Sequence, residues 1–301
     1  MKSIGVIGAG AVGQALAPLL VTSGWCHSVL LASGSGRTAA GLVTDLEDMR
    51  QVTSSSVRVA LAEPALMRSC DAVVVCPRAV FTNTARTDVR MAGLAANVPL
   101  VAALARQLHD YRGVVVMVTN PVDVLSRLFA EVSGCRQVYG VGSNTDTARY
   151  HLVLSRLLAV PVTAVAGHVI GEHGDHAVIC ASSTTVHGRP AAVPLQHVRA
   201  ELAARPGRIN AGIGRTRCGP AGATLAALEH ALGVSDGVIE LSTRWPGGWA
   251  GIPLRFAAGR STVCLPPLNP AEARALDAAD TKIRTAYDRV HLELTQETTP
   301  S

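Results

Sequence analysis

A histidine in a glycine-rich turn is the first residue of this sequence whose setting suggests acid/base chemistry. The segment Gly167-His-Val-Ile-Gly-Glu-His173-Gly-Asp175 follows an apolar stretch. Upstream, Asp146 and Arg149 are three residues apart, so they project from one face of a predicted helix. An aspartate that binds one imidazole nitrogen leaves the other to exchange a proton with substrate, and a planar guanidinium matches a carboxylate. His173, Asp146 and Arg149 therefore predict proton transfer to a bound carboxylate.

The same turn has a competing interpretation as a metal site. His168, His173, Asp175 and His176 lie close together in sequence. Their spacing is not that of a zinc site, because all four fall on one turn. We expect no metal.

A glycine loop follows the first predicted strand and opens the first predicted helix. It reads Gly8-Ala-Gly-Ala-Val-Gly13. In such loops the first glycine allows a tight turn, the second lets a pyrophosphate approach the backbone, and the third permits close helix packing. We therefore predict that Gly8, Gly10, Ala11, Val12 and Gly13 bind a dinucleotide.

The end of the second predicted strand indicates which dinucleotide. NAD-specific enzymes place an acid there to bind the ribose hydroxyls. Here no acid occurs before Asp45, and the segment carries Ser33, Ser35 and Arg37. Hydroxyls and a guanidinium suit a 2′-phosphate, so these three residues predict NADP rather than NAD, although Arg37 also fits a solvated helix start.

The elements that must position these residues follow from the hydrophobic pattern. In the first half, short apolar runs alternate with helical patterns, which is typical of a doubly wound parallel sheet with ligands at the carboxyl ends of its strands. The predicted strands are Ser3–Ile7, Ser28–Ala32, Ala72–Cys76, Val114–Val118 and Val138–Val141. The predicted helices are Ala11–Thr22, Thr38–Met49, Thr84–Leu108 and Val122–Val132.

The pattern changes after about residue 142, to mixed helices and strands. We predict helices at Asn144–Leu158, Leu195–Ala204, Ala221–Leu232 and Pro270–Leu292, and strands at Thr163–Ile170, His176–Val186, Val238–Thr243 and Arg255–Leu265. The fold class is therefore α/β, with a dinucleotide-binding domain over 1–141 and an α+β catalytic or substrate domain over 142–301.

Composition excludes several classes of function. The chain has 301 residues, of which 48% are hydrophobic and 16% charged, so it is globular rather than disordered. No apolar run is long enough to span a bilayer, and the amino terminus does not resemble a signal peptide, so we expect a cytoplasmic protein. The net charge is +5, but the arginines are dispersed, which argues against nucleic acid. The seven scattered cysteines indicate small buried residues rather than disulfides.

Several motifs in order resemble the lactate/malate dehydrogenase family over nearly the whole chain. The stretches that carry the resemblance are Gly8–Gly13, Thr84-Ala-Arg86-Thr-Asp88, Asn120-Pro-Val-Asp123, Asp146-Thr-Ala-Arg149, Ile170-Gly-Glu-His173-Gly-Asp175, Gly222-Ala-Thr224 and Pro267-Leu-Asn-Pro-Ala-Glu272. The resemblance implies a Rossmann nucleotide-binding fold and a homodimer or homotetramer.

The resemblance also implies roles for individual residues. His173 would be the acid/base, Asp146 its orienting partner and Arg149 the clamp on the substrate carboxylate. Arg86, on a mobile loop, would polarise the reacting carbonyl. Asn120 would bind substrate and position the nicotinamide.

Further matches concern substrate and cofactor. The match at Gly222-Ala-Thr224 places Thr224 among the substrate-binding candidates. The stretch Gly34-Ser-Gly-Arg-Thr38 is similar to the Gly-Ser-Glu-Arg-Ser stretch of the NADP-dependent chloroplast malate branch, which agrees with NADP.

The loop before Arg86 departs from the family pattern. It is one residue shorter than usual, and malate dehydrogenases carry an arginine six positions before the loop arginine, where this chain has Val80. Arg78 lies two positions off that register; we take it, like Arg90, as a surface or packing residue, with the alternative that Arg78 turns inward and binds a second carboxylate. An apolar position 80 favours a monocarboxylic 2-oxo acid over oxaloacetate.

The sequence therefore leads to one main hypothesis and three alternatives. The main one is an NADP-dependent reductase of a small 2-oxo acid. The alternatives are a malate dehydrogenase acting on oxaloacetate, a reductase of an unusual carbonyl or imine, and a non-catalytic dinucleotide sensor. The sensor conflicts with the presence of His173, Asp146, Arg149 and Arg86.

Overall fold

The computed structural model describes residues 1–82, 84–85 and 87–297. Its first half forms a parallel sheet with the strand order β3-β2-β1-β4-β5-β6, which is typical of Rossmann folds. In chain order the elements are β1 (Lys2–Ile7), α1 (Ala11–Val21), β2 (Cys26–Ala32), α2 (Gly36–Thr53), β3 (Arg58–Leu61), β4 (Ala72–Val75), α3 (Leu94–Gln107), β5 (Val114–Met117), α4 (Val122–Ser133) and β6 (Val138–Gly140).

The central strands are buried on both faces. β4 has the sequence Ala-Val-Val-Val and β5 Val-Val-Val-Met, and every one of these residues is buried. Continuous β-branched runs are expected where helices cover both sides of a parallel sheet. The strands therefore form a rigid layer whose carboxyl edge carries the glycine loop after β1 and Asn120 after β5.

The second half continues the same sheet. β12 pairs antiparallel with β6, and β13, β8 and β9 follow in that order, while β7, β10 and β11 form a separate small sheet. The elements are α5 (Ser143–Leu158), β7 (Val165–Ala166), β8 (Val169–Gly171), β9 (Ala177–Ile179), β10 (Thr185–Val186), β11 (Arg189–Pro190), α6 (Leu195–Ile213), α7 (Cys218–Ala231), β12 (Gly237–Trp245), β13 (Gly248–Ala257), β14 (Arg260–Val263) and α8 (Pro270–Glu297).

The predicted α/β class with a doubly wound parallel sheet is confirmed, but several elements differ from prediction. β3 was not predicted, because only Val59 of its four residues is buried and an edge strand this short shows little periodicity. The predicted helix from Thr84 begins ten residues later, at Leu94, because Asp88 has a left-handed backbone (φ 48°) and a short 3₁₀ turn precedes α3.

Differences in the second half have similar local causes. The predicted strand Thr163–Ile170 is divided between β7 and β8, which belong to different sheets. α6 runs past the predicted end through Pro206 to Ile213. β13 begins at Gly248, seven residues before the predicted start, since a sequence rich in glycine and proline gave no strand signal there.

Two predicted features of the chain as a whole can be placed on the structure. All seven cysteines are free thiols. Over the described part of the chain, we find no helix with the length and apolar character that crossing a bilayer requires. The boundary between two domains at residue 141 stays a prediction.

Candidate active site

The candidate acid/base residues meet where α5 begins beside the turn after β8. Asp146 lies in the first turn of α5, and its backbone N–H donates to Gly142. His173 lies two residues after the end of β8. A Cβ at Gly142 would lie 2.6 Å from the Cβ and Cγ of His173, so only glycine allows this approach. The fold therefore brings together two residues that are far apart in sequence.

A short hydrogen bond joins the two side chains. His173 Nδ1 lies 2.6 Å from Asp146 Oδ2, and their side chains are 9% and 13% exposed. Burial opposes ionisation of Asp146, but the charge and hydrogen bond of His173, with the charges of Arg90 and Arg149, hold the pKa of this carboxyl below its usual value. The carboxylate is therefore ionised at neutral pH, and Nδ1 is the nitrogen that it engages.

A second buried aspartate holds the backbone of the histidine. Asp123 Oδ2 accepts the backbone N–H of His173 at 2.7 Å. Burial raises the pKa of Asp123. Its other oxygen, Oδ1, is buried without a hydrogen-bond partner among the described residues. Sequence analysis gave Asp123 no separate role; the available signal was an acid within the apolar stretch that opens α4.

The guanidinium of Arg149 lies beside the same aspartate. Arg149 Nη1 is 3.4 Å from Asp146 Oδ1, so this contact is long, and the arginine is 9% exposed. Burial lowers the pKa of Arg149, and the charges of Arg90 and Arg205 add to that effect, while Asp146 opposes it. A buried guanidinium near other cations favours a bound anion.

Arg90 is closer to this centre than predicted. It was expected to be a surface or packing residue, yet its charge acts on both Asp146 and Arg149, and it is only partly exposed. Its sequence signal was its position four residues after Arg86, the predicted carbonyl-polarising residue. Arg86 itself lies outside the described residues.

The glycine loop has the geometry that a pyrophosphate site requires. Gly8 has φ +120°, and a Cβ at Gly13 would lie 1.9 Å from the Gly8 carbonyl oxygen. Gly10 precedes α1, whose first residues are Ala11 and Val12, and a Cβ at Gly10 would meet nothing within 4 Å. Gly8 and Gly13 are thus needed by the turn, whereas the space at Gly10 is open for a ligand.

The predicted 2′-phosphate residues surround the beginning of α2. Ser33 donates through its hydroxyl to the backbone carbonyl of Ser35. Ser35 and Arg37 are exposed, and the first turn of α2 contains no acid. The amino terminus of α2 is therefore a cationic and hydroxyl-bearing edge that is open to solvent.

Asn120 and Thr224 occupy different surroundings. Asn120 Oδ1 is buried and has no partner in the described part of the chain, while the Asn120 carbonyl accepts from Asn97 Nδ2 at 2.9 Å. An amide oxygen without a partner at the end of β5 suits a hydrogen bond to a ligand. Thr224 is fully buried in α7, where its hydroxyl donates to Pro220 at 2.7 Å.

The loop residues expected at the far end of the substrate do not meet the acid/base pair. Val80 is fully exposed to solvent, so it forms no apolar wall. The guanidinium of Arg78 lies 4.4 Å from the ring centroid of Phe81. In this structure Arg78 thus stacks within its own loop.

A cavity of about 660 Å³ opens beside Arg149, between α5, α6 and α7. Its lining includes Asn144, Arg149, Arg205 and Gly222 together with apolar side chains. Over the described residues, no three His, Cys, Asp or Glu side chains are grouped as metal ligands.

Comparison with known proteins gives matches in sequence. A family model described as "lactate/malate dehydrogenase, NAD binding domain" matches residues 2–141. An L-lactate dehydrogenase of Zea mays is 31% identical over 199 residues, which are 65% of this chain and 56% of that protein. L-lactate dehydrogenase 1 of Bifidobacterium longum is 28% identical over 258 residues, covering 80% of this chain and 81% of that protein. The match thus spans little more than half of the maize protein.

Solved structures share the fold over nearly the whole chain. A minor L-lactate dehydrogenase of Enterococcus mundtii has a TM-score of 0.87 at 22% identity, covering 96% of this chain and 98% of that one. A malate dehydrogenase of Cryptosporidium parvum has a TM-score of 0.86 at 23% identity, covering 96% and 99%. At these identities the likeness establishes the α/β architecture.

Proposed function

We propose that this chain is an oxidoreductase of the lactate/malate dehydrogenase type, and that it reduces a small 2-oxo acid to the 2-hydroxy acid with NADPH. The observation that carries the proposal is the buried pair of His173 and Asp146, 2.6 Å apart and beside the guanidinium of Arg149. A protein that only senses a dinucleotide has no need of a buried acid/base pair.

His173 has the role of proton donor and acceptor. Because Asp146 engages Nδ1, the imidazole presents Nε2 to the substrate, where it protonates the oxygen of the carbonyl as that oxygen gains negative charge. Asp123 fixes the backbone from which this ring projects. The proton donor is thus held from both its ring and its main chain, which lowers the cost of orienting it.

Arg149 has the role of carboxylate clamp. Its only charge partner among the described residues, Asp146, is 3.4 Å away, so the guanidinium retains donors for a substrate carboxylate. Binding the carboxylate there fixes which way the neighbouring carbonyl points. Arg86 and Arg90 follow the exposed loop at 78–82 and are the candidates to stabilise negative charge on the carbonyl oxygen.

The chain fits a nicotinamide dinucleotide at three places. The open space at Gly10 and the amino terminus of α1 suit the pyrophosphate, and the unpartnered Asn120 Oδ1 suits the nicotinamide side. When bound, this cofactor supplies the hydride that the substrate carbon accepts. The choice of NADP rests on Ser33, Ser35 and Arg37 and on the absence of an acid in the first turn of α2.

We further propose that the substrate side chain is uncharged. The support is that Arg78 stacks on Phe81 rather than facing Arg149. Val80 gives no support to this proposal, since its side chain is exposed. A second candidate, oxaloacetate, is favoured by the charges of Arg90 and Arg205 near Arg149, because they suit a second carboxylate.

A substrate panel tests these proposals directly. The purified protein is mixed with aliphatic 2-oxo acids or oxaloacetate and with NADPH or NADH, and oxidation of the cofactor is followed by absorbance. We expect turnover of 2-oxo acids, a higher kcat/KM with NADPH, and preference for uncharged side chains. No turnover of any of these carboxylates with either cofactor would contradict the role of Arg149.

Two predictions accompany this function. We expect a homodimer or homotetramer, which light scattering of the purified protein checks, and a cytoplasmic location, which fractionation of the source cells checks.

The proposed division into a dinucleotide-binding unit over 1–141 and a substrate unit over 142–301 is tested by expressing the first unit alone and measuring NADPH binding.

A further inference from the structure

We propose that Lys282, on α8, is a positioning residue that ties the segment carrying Asp88 and Arg90 to the turn carrying His173. It is one of two lysines in the chain. We call the contacts of Lys282 with Glu172 and Asp88 the tether. These contacts are independent of the proposed function, whereas the effect of the tether on turnover rests on it.

One end of the tether is a buried carboxylate next to the acid/base residue. Glu172 directly precedes His173, and its side chain is 3% exposed. Lys282 Nζ lies 2.9 Å from Glu172 Oε1 and 3.0 Å from Oε2. A carboxylate buried this deeply requires a cation or several donors, and Lys282 supplies the cation.

The other end is Asp88, which lies between the two candidate loop arginines. Lys282 Nζ is 2.8 Å from Asp88 Oδ1. The backbone N–H of Asp88 also donates to Asp175 Oδ2 at 2.9 Å, and Asp175 belongs to the same turn as His173. Besides the hydrogen bond that its carbonyl accepts from Met91 N–H in the local turn, Asp88 thus has two contacts with distant segments, one to α8 and one to the His173 turn.

The backbone at Asp88 indicates that these contacts hold a specific conformation. Its φ of +48° is left-handed, a region that residues other than glycine adopt infrequently, although aspartate adopts it more often than most. Such a conformation persists where the surroundings determine it. The surroundings of Asp88 include the contacts with Lys282 and Asp175 and the hydrogen bond that its carbonyl accepts from Met91 N–H at 3.0 Å.

The charge state of Lys282 agrees with this role. Burial disfavours its ammonium group, yet hydrogen bonds to Asp88 and Glu172 and the charges of both raise its pKa above the usual value. The side chain is 18% exposed, so its charge is only partly screened by solvent. Lys282 is therefore a charged link between two carboxylates on separate segments.

We expect the tether to affect catalysis through the position of the residues near Asp88. Asp88 is two residues from Arg90, so a shift of Asp88 moves this arginine relative to Arg149 and His173. A misplacement of about 1 Å in an active site reduces rate by as much as about a hundredfold. Lys282 touches neither of the proposed reacting groups and acts through this geometry.

The experiment compares Lys282→Met with Lys282→Arg, Asp88→Asn and the control Lys2→Met. Lys2 is the other lysine and makes a longer, more exposed contact of 3.9 Å with Asp71, far along the chain from the site. For each protein we measure kcat and KM for the 2-oxo acid, NADPH affinity by fluorescence, and hydrogen exchange of peptides covering residues 87–90. Thermal unfolding shows which variants are folded.

We expect Lys282→Met to lower kcat by about tenfold to a hundredfold, with NADPH affinity within about threefold of the parent. Exchange over residues 87–90 should become faster in this variant, because the N–H of Asp88 loses its fixed position. Lys282→Arg should restore most of both properties, and Lys2→Met should leave both unchanged. Asp88→Asn keeps a left-handed backbone but removes the charge, so it should fall between the parent and Lys282→Met.

Unchanged kcat and unchanged exchange in Lys282→Met would overturn the proposal. If Lys282→Met does not fold, Asp88→Asn decides in the same way, since Asp88 is 35% exposed and its replacement leaves no buried charge. If the parent reduces no 2-oxo acid, the proposed function fails, while the exchange comparison still determines whether the tether exists.

Discussion

The acid/base centre and the edge that selects the dinucleotide are built in opposite ways. Asp146 and His173 are buried, lie 2.6 Å apart, and are surrounded by further hydrogen bonds and charges. Ser35 and Arg37 are exposed at the beginning of α2, and no side-chain partner is seen for them among the described residues. The hydrogen bond between Asp146 and His173 forms without a ligand, whereas the exposed edge offers groups that a ligand would pair.

The physical reason for the difference is the cost of burying charge. A carboxylate away from water must have its partners in the protein, so Asp146 occurs with His173 and Arg149. An exposed guanidinium such as Arg37 is solvated and needs no partner until a phosphate arrives. Substitutions in the first region should therefore remove catalysis, whereas those in the second should redirect affinity by one or two orders of magnitude.

The largest effect is expected for the proton donor. His173→Asn should lower kcat by about a hundredfold to ten-thousandfold, because the proton is needed in the transition state, while NADPH binding should be retained. Stopped-flow turnover and cofactor titration measure the two quantities. The matched control is His176→Asn, since His176 lies three residues later and is 45% exposed. Loss of turnover in the control alone would show that the wrong histidine has been assigned.

The next effect concerns the partner of that histidine. Asp146→Asn should lower kcat by about tenfold to a hundredfold, because a charged hydrogen bond that orients the ring is replaced by a neutral one. Kinetics with saturating NADPH check this. Near-normal kcat in Asp146→Asn would mean that the Asp123 contact alone positions His173.

Asp146 also makes a prediction about pH and stability. Its pKa is lower in the folded protein than the ordinary 3.8, so its ionised form contributes to the free energy of unfolding above that pH. The contribution is lost as the pH falls through the lowered folded value. The difference in unfolding free energy between the parent and Asp146→Asn should therefore shrink as the pH falls below 3.8, which denaturant titrations at several pH values measure.

Sequence patterns predict candidate residue types better than they predict the contacts between distant residues. Asp146 and Arg149 are three apart on a helix, and the glycine loop has its own spacing, so local pattern was sufficient to find both. The contact between Asp146 and His173 spans 27 residues and was predicted from family resemblance. Asp123, Arg90 and Lys282 were missed as neighbours of the site, because their position depends on how distant segments pack.

In the loop before α3, the direction of a side chain was predicted wrongly from sequence. Position 80 was predicted to face the substrate by counting back from Arg86, yet Val80 is exposed. Counting gives a position along the chain, whereas the direction of a loop side chain depends on a backbone that does not repeat as a helix or strand does. Residue types in a loop can be predicted from sequence, but their directions depend on the backbone that the tertiary contacts select.

A smaller effect is expected at the exposed edge of α2. Replacing Arg37 by alanine together with Ser33→Asp should shift the ratio of kcat/KM for NADPH over NADH by about tenfold to a hundredfold toward NADH, since a charge-assisted contact is lost and a repulsive carboxylate gained. kcat with saturating cofactor should change little. Equal use of both cofactors by the parent protein would contradict the proposed role of this edge in selecting NADPH.

The smallest effect is expected for Arg78. Like Arg37 it is an exposed cation, but like the buried pair it already has a partner in the protein, since its guanidinium stacks on Phe81 at 4.4 Å. An exposed cation–π contact of this kind contributes about 0.5–1 kcal/mol, so Arg78→Ala should change the KM for an aliphatic 2-oxo acid by no more than about two- to fivefold. The matched control is Arg106→Ala, an exposed arginine near the end of α3.

Competition between oxaloacetate and the aliphatic acid measures whether Arg78 turns inward when a second carboxylate is present. If oxaloacetate is strongly preferred by the parent and that preference disappears in Arg78→Ala alone, then Arg78 leaves Phe81 on binding, and the substrate is a dicarboxylate. If the preference is instead lost in Arg205→Ala, the second carboxylate lies on the α6 side of Arg149, where the cavity opens.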